Sequence, residues 1–241
     1  EPIAGPTANH HAAIHRRLRR ILAKSDCVGG VEMRITILGA TGQTGQLLVE
    51  QALERGYKVM AFARTPEKLR FSDKNLRIVQ GDVCEAISVE RAIQGTDVVI
   101  SVLGPTKNEP LFDVSQGMEH ILKAMNKYNV DRLVVSVGAG VGDPHDEPGF
   151  FNLVINFLLK LFSRWVYEDM VRVAEMVRDS ELDWILVRVP MLTSNEPTGE
   201  IKVGYVGKGM GPRITRGDLA TFMLDQVEVD SYVHQAPAIS N

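Results

Sequence analysis

The chain has 241 residues, 24% of them charged and 44% hydrophobic, and 27 Lys and Arg against 30 Asp and Glu leave a formal charge of −3. A chain of this length buries a full core without disulfide or metal staples, its near-neutral charge argues against a nucleic-acid binder, and no run reaches the roughly 18 apolar residues of a membrane span. The two cysteines, Cys27 and Cys84, have neither framework nor zinc spacing, which fits a reducing compartment and a cytoplasmic location.

Residues 1–32 carry Arg16, Arg17, Arg19, Arg20 and Lys24 against Glu1, Asp26 and Glu32, a net +2, so residues 33–241 carry −5 by subtraction. This basic extension reads as a flexible or non-native leader, an organelle transit segment built on the Arg-rich run His15–Leu22, or a basic arm for a partner. His11 and His15 have the i, i+4 spacing of a metal pair, but no third ligand follows, and no metal site is expected. The folded domain is expected over 33–241.

From Met33 the chain alternates short β-branched runs with helical periods. MRITIL (33–38) reads as a strand, and Gln43–Arg55 as a helix with Leu47, Leu48, Ala52 and Leu53 on one face, closed by Gly56 at C′. Further strands are expected at 57–63, 76–80, 97–103, 132–138 and, last, 183–189. Val114, Met118, Ile121, Leu122 and Met125 mark one helix, and Met170, Val173, Ala174 and Val177 another within Trp165–Asp179. Phe150–Phe162 has ten apolar residues in thirteen, too short to span a membrane; it suits a helix packed on the sheet, or a lid over a substrate pocket. Strands joined by right-handed crossovers make a single-domain α/β fold, a doubly wound parallel sheet.

Gly39-Ala40-Thr41-Gly42-Gln43-Thr44-Gly45 falls between the first strand and the first helix. A pyrophosphate at a helix N-terminus meets free backbone N–H groups and the positive end of the helix dipole. Glycines at 39, 42 and 45 suit the tight turn, the close phosphate approach and the helix–strand packing that such a site requires, with hydroxyls from Thr41 and Thr44 available to phosphate oxygens. Strand two ends in Arg64 where an NAD site places an acidic residue, and a guanidinium fork suits a 2′-phosphate, so the cofactor is expected to be NADP(H). Asp82 and Val83, after strand three, suit an adenine, although Asp82 also reads as a loop or capping residue. Leu103 and Gly104, after strand four, suit the nicotinamide half. No activated thiolate is expected at Cys84.

ILGATGQTG, Arg64, GDV after strand three, the LG after strand four and ITRGDLA resemble the atypical short-chain dehydrogenase/reductase group. Within it, the chain is similar over about 33–235 to the NmrA-like NAD(P)-binding proteins and to the biliverdin IXβ reductase/flavin reductase type. The resemblance implies a substrate space over the nicotinamide, here Pro105, Gly138, Ala139, Pro190 and Met191. Departures from the group's pattern matter as much. Tyr167 is followed four residues later by Val171, so the Tyr-x-x-x-Lys pair is missing, Gly138 stands at the active-site serine position, and Met191 replaces a substrate-side histidine. Ser136 reads as a sheet serine.

No catalytic residue is therefore assigned. The expected function is NADPH-dependent reduction of a planar conjugated acceptor, a flavin, tetrapyrrole or quinone, by a monomer or weak homo-oligomer. The alternative is a non-catalytic NADP sensor. Thr215 and Asp218 resemble a capping box that uses Asp in place of Glu or Gln.

Overall fold

The computed structural model describes residues 33–149, 162–207 and 209–241, so the basic extension and all of Phe150–Phe162 except Phe162 lie outside the described residues. Residues 34–241 form one compact unit. Apolar β-branched runs build β1 (Arg34–Leu38), β2 (Lys58–Ala63), β3 (Leu76–Gln80), β4 (Val98–Ser101), β5 (Arg132–Gly138) and β6 (Asp183–Val189). Among the described residues the helices are α1 (Gln43–Glu54), α2 (Ala86–Ile93), α3 (Asp113–Tyr128), α4 (Arg164–Arg178) and α5 (Arg216–Asp225). As expected, Gly56 lies just past α1, with φ +79° and its N–H on the Leu53 carbonyl.

The sheet order is β3-β2-β1-β4-β5-β6, followed by two short strands, β10 (Ala238–Ser240) and β8 (Lys202–Gly204). The chain winds outward from β1 through β2 to β3, then crosses back over β1 to β4, so the carboxyl ends of β1 and β4 form the switch point where open α/β sheets bind ligands. The expectation that DWILVRV closes the sheet is corrected. Four short strands follow it: β7 (Met191–Thr193), β8 (Lys202–Gly204), β9 (Arg213–Thr215) and β10 (Ala238–Ser240). β10 joins β6 in parallel, β8 makes an antiparallel edge, and β7 pairs with β9 in a separate two-stranded sheet. Three-residue strands carry too little periodicity to show in sequence.

The core is densest on the face covered by α3 and α4, where Met118, Ile121, Met125, Val173 and Val177 are fully or almost fully buried against Leu133, Val135 and Leu186. A charged group lies deep in the sheet. Arg188 of β6 is fully buried, hidden from sequence reading inside an apolar run. Its guanidinium meets Asp146 at 2.6 and 2.8 Å and also donates to the carbonyls of Ala236 and Val141.

The capping box at α5 forms on one side only. The Asp218 N–H donates to Thr215 Oγ1 at 3.0 Å, as a capping hydroxyl requires. The Asp218 carboxylate does not reach back to the Thr215 N–H, which donates to Asn241 Oδ1 instead. It accepts from Thr215 Oγ1, the Thr198 and Gly199 N–H groups and Asn241 Nδ2, tying the end of the chain to the domain.

Candidate functional site

The turn after β1 has the conformation a phosphate cradle requires. Gly39 has φ +85°, and a Cβ there would lie 3.0 Å from the Val102 carbonyl oxygen, so glycine lets the β1 and β4 ends close on each other. The Gly42 N–H donates to the Gly39 carbonyl at 3.0 Å, completing the turn. At Gly45 a Cβ would come within 2.1 Å of the Gly39 oxygen, and its absence seats α1 on the turn. Gly42 caps α1 with no side-chain hydrogen bond, and no acidic residue occupies the first turn. The first N–H groups of α1 thus meet the switch point without a side-chain competitor, where an anion gains about 0.3–1 kcal/mol from the helix dipole and up to ~2 when partly buried.

A cleft of about 290 Å³ runs along this turn. Gly39, Thr41 and Gly42 form one wall, Phe62, Ala63 and Arg64 the end of β2, and Val102, Leu103 and Gly104 the end of β4. Thr44 and Gly45 are buried beneath it rather than lining it. Gln43 is exposed at the helix start. Lys68 also lines the cleft. Sequence reading missed this residue, which the single 3₁₀ turn Pro66–Lys68 directs to the same side as Arg64.

A second cleft of about 230 Å³ continues from the first. Arg64, Asp82, Val83, Leu103 and Gly104 line it together with Pro105, Phe112, Trp165 and Asp169. Asp82 is not the cap of α2, a position held by Glu85. One of its carboxylate oxygens accepts from the Cys84 N–H at 3.0 Å in a local turn. Val83 is held from behind. Gly117 of α3 leaves no room for a Cβ, which would lie 2.1 Å from Val83 Cγ2, and His120 Nδ1 donates to the Val83 carbonyl at 2.9 Å. Neither residue carries a sequence signal for this role. Burial, reinforced by the charges of Asp82 and Asp113, pushes the Cys84 thiol up to about 11, the opposite of an activated thiolate.

The far wall is fixed by two side chains that cap helices distant in sequence. Asp169 of α4 accepts from the Val114 and Ser115 N–H groups at the start of α3. Asn108, in the loop after β4, accepts from the Trp165 N–H at the start of α4. Between them Phe112 adopts φ +53°, packed edge-on against Trp165 with the Arg172 guanidinium 3.7 Å from its ring centre.

The substrate-side candidates divide. Pro105 lines the second cleft. Gly138 and Val189 are register partners at the ends of β5 and β6, and the Ala139 N–H donates to the Val189 carbonyl at 2.7 Å, which brings Ala139 beside Pro190. Met191 follows, 56% exposed. These four line neither cleft. A larger cleft, about 760 Å³, opens at the β3 edge and shares no residue with the switch point.

The glycine cradle, the helix start with no side-chain cap and the cation pair at the end of β2 fit a dinucleotide phosphate cofactor. Residues 39–230 match the model of the NAD(P)H-binding family. An uncharacterised chloroplastic protein of Arabidopsis thaliana is 30% identical over 183 residues, covering 70% of this chain and 62% of that protein. The chain spans between 33% and 62% of the length of three such curated relatives. Its fold is shared with a short-chain dehydrogenase/reductase of Veillonella parvula in complex with NADP (TM-score 0.74, 16% identity, 87% of this chain and 94% of that one). It is shared also with an anaerobilin reductase of Escherichia coli O157:H7 (TM-score 0.71, 17% identity, 86% and 97%). The chain belongs to the NAD(P)H-binding family.

Proposed function

We propose that the protein is an NADPH-dependent reductase of a planar conjugated acceptor, a flavin, tetrapyrrole or quinone. The observation that carries this reading is the pairing of a built cofactor cleft with a β5–α4 crossover lacking the Tyr-Lys acid pair: Tyr167 is followed by Val171, and Gly138 leaves open space at the serine position. When bound, NADPH supplies a hydride. The N–H groups at the start of α1 hold its diphosphate, Arg64 and Lys68 attract its 2′-phosphate, and Asp82 with Val83 takes the adenine. Leu103 and Gly104 take the nicotinamide half, Pro105 borders the space for the acceptor, and Gly138, Ala139, Pro190 and Met191, which line neither cleft, complete it from the ends of β5 and β6 in this reading. A delocalised acceptor spreads the incoming charge, so solvent provides the proton and the protein mainly holds two planar groups face to face. A ketone, which concentrates that charge on one oxygen, would need the acid this chain lacks.

A cytoplasmic setting, or an organelle if residues 1–32 act in transit, accompanies this reading, with a monomer or weak homo-oligomer as the working form. The same missing pair favours one second reading, a non-catalytic NADP sensor. Steady-state NADPH oxidation with FMN, a quinone and biliverdin separates the two. Turnover with any of them supports the reductase, whereas tight NADP binding without turnover supports the sensor.

A further inference from the structure

Among the described residues β3 is the terminal strand of the sheet and pairs only with β2. In that ladder the Val59 N–H donates to the Asn75 carbonyl and the Gly81 N–H to the Ala63 carbonyl, so odd-numbered positions turn their backbone groups inward. Ile78 and Gln80 therefore carry their N–H and C=O groups outward, a template for another strand. Ile78 is 36% exposed.

The surroundings of this edge are cationic in a domain of net charge −5. Exposed Arg77 and Arg91 line the 760 Å³ cleft between β3 and α2, and Arg77 and Lys74 line a second of about 400 Å³ at the amino ends of the strands. Among the described residues Glu85 is the one carboxylate in the first lining, where it accepts from the Ser88 hydroxyl at 2.8 Å. The second lining has none among the described residues. Edge charges discourage self-pairing, and a second copy added here would set its own Arg77 and Arg91 near these. An extended segment with alternating carboxylates meets both features at once.

We propose that the β3 edge docks an extended acidic polypeptide segment of a partner protein, which adds as a ninth strand with its carboxylates on Lys74, Arg77 and Arg91. Its backbone pairs with Ile78 and Gln80, and because the two clefts share no residue with the cofactor cleft, docking and NADPH binding are separable.

The test measures fluorescence anisotropy of a labelled peptide of alternating Glu and Val on the full chain at low salt. The same peptide N-methylated at alternate residues, a Lys-Val peptide, a single-stranded oligonucleotide and anionic vesicles serve as comparisons. The Glu-Val peptide is expected to bind and to weaken about tenfold or more in the R77E/R91E variant, with strong loss as salt screens the pairs. N-methylation, which alters nothing in the protein, and Ile78→Pro, which removes an outward N–H, are each expected to weaken it severalfold while NADPH affinity holds. Equal binding of the N-methylated peptide would overturn strand addition, and tighter binding of the oligonucleotide or vesicles would reassign the surface to a non-protein polyanion. Binding no tighter than that of the Lys-Val peptide would remove the charge basis.

Discussion

The buried Arg188 of β6 and the half-buried Asp146 of the loop after β5 form a bidentate ion pair, Nη1–Oδ2 2.6 Å and Nη2–Oδ1 2.8 Å, across 42 residues of sequence. Asp146 also accepts from the N–H groups of Asp143 and Val206, so one carboxylate pins the loop after β5 and the stretch after β8 to the sheet. Removing one partner leaves the other charge buried and unpaired, so Asp146→Ala is expected to cost about 3–5 kcal/mol in urea unfolding. Replacing both with apolar residues of similar volume should cost far less.

The same pair sets an acid limit. Burial alone would raise the Asp146 carboxyl, but the hydrogen bonds and charge of Arg188, with those two backbone N–H groups, hold it below the ordinary value. Its stabilisation is therefore fully present above the unfolded value near ~3.9 and is lost as pH falls through the lower folded value. Asp218 behaves likewise, burial being outweighed by the N–H and hydroxyl donors of Thr198, Gly199 and Thr215. Asp146→Asn should flatten the loss of stability below that pH in denaturation series, and an unchanged slope would remove Asp146 from the account.

At the cofactor cleft, Arg64→Ala is expected to weaken NADPH binding about tenfold to hundredfold, the worth of hydrogen bonds to a charged group at a partly open site. NADH binding should barely change, and the melting temperature without cofactor should hold. Lys68→Ala should show the same selectivity at about twofold to fivefold, the scale of an exposed charge pair. Isothermal titration with both cofactors measures this. Equal losses would place Arg64 on the fold or the shared diphosphate.

Two glycines of the site should behave oppositely. Gly45→Ala brings a Cβ within 2.1 Å of the Gly39 carbonyl oxygen, so α1 must shift, at about 1–3 kcal/mol, and NADPH and NADH should weaken together. Gly138 has no atom within 4 Å of an added Cβ and no positive φ, so Gly138→Ser should change stability by no more than about 0.5 kcal/mol. Thermal unfolding of the two variants is the check.

Asp169 should prove structural to the second cleft. Asp169→Ala removes the acceptor of two N–H groups at the start of α3, an expected loss of about 2–4 kcal/mol, and loosens the Phe112–Trp165 wall. Trp165 emission, read against the buried Trp184, should shift before global unfolding in a denaturant series.

The cradle was readable from sequence because its signal is local: strand, glycine turn and helix follow within a dozen residues, and Arg64 sits directly after β2. Lys68 was not, since a lone charge in a loop acquires meaning only when a 3₁₀ turn aims it. Arg188 hid in an apolar strand because its partner lies 42 residues away. The capping of α3 by Asp169 and of α4 by Asn108 spans more than 50 residues in each case, so no spacing rule finds either. At Asp82 the legible part is again local: one of its oxygens accepts from the Cys84 N–H two residues on.

Direct hydride transfer to a planar acceptor is decided by single-turnover oxidation of NADPH deuterated at the transferring position, with FMN, a quinone and biliverdin in turn. Oxidation by at least one acceptor, slowed by the label, is the expected result. Tight NADPH binding with no oxidation by any of the three would contradict it.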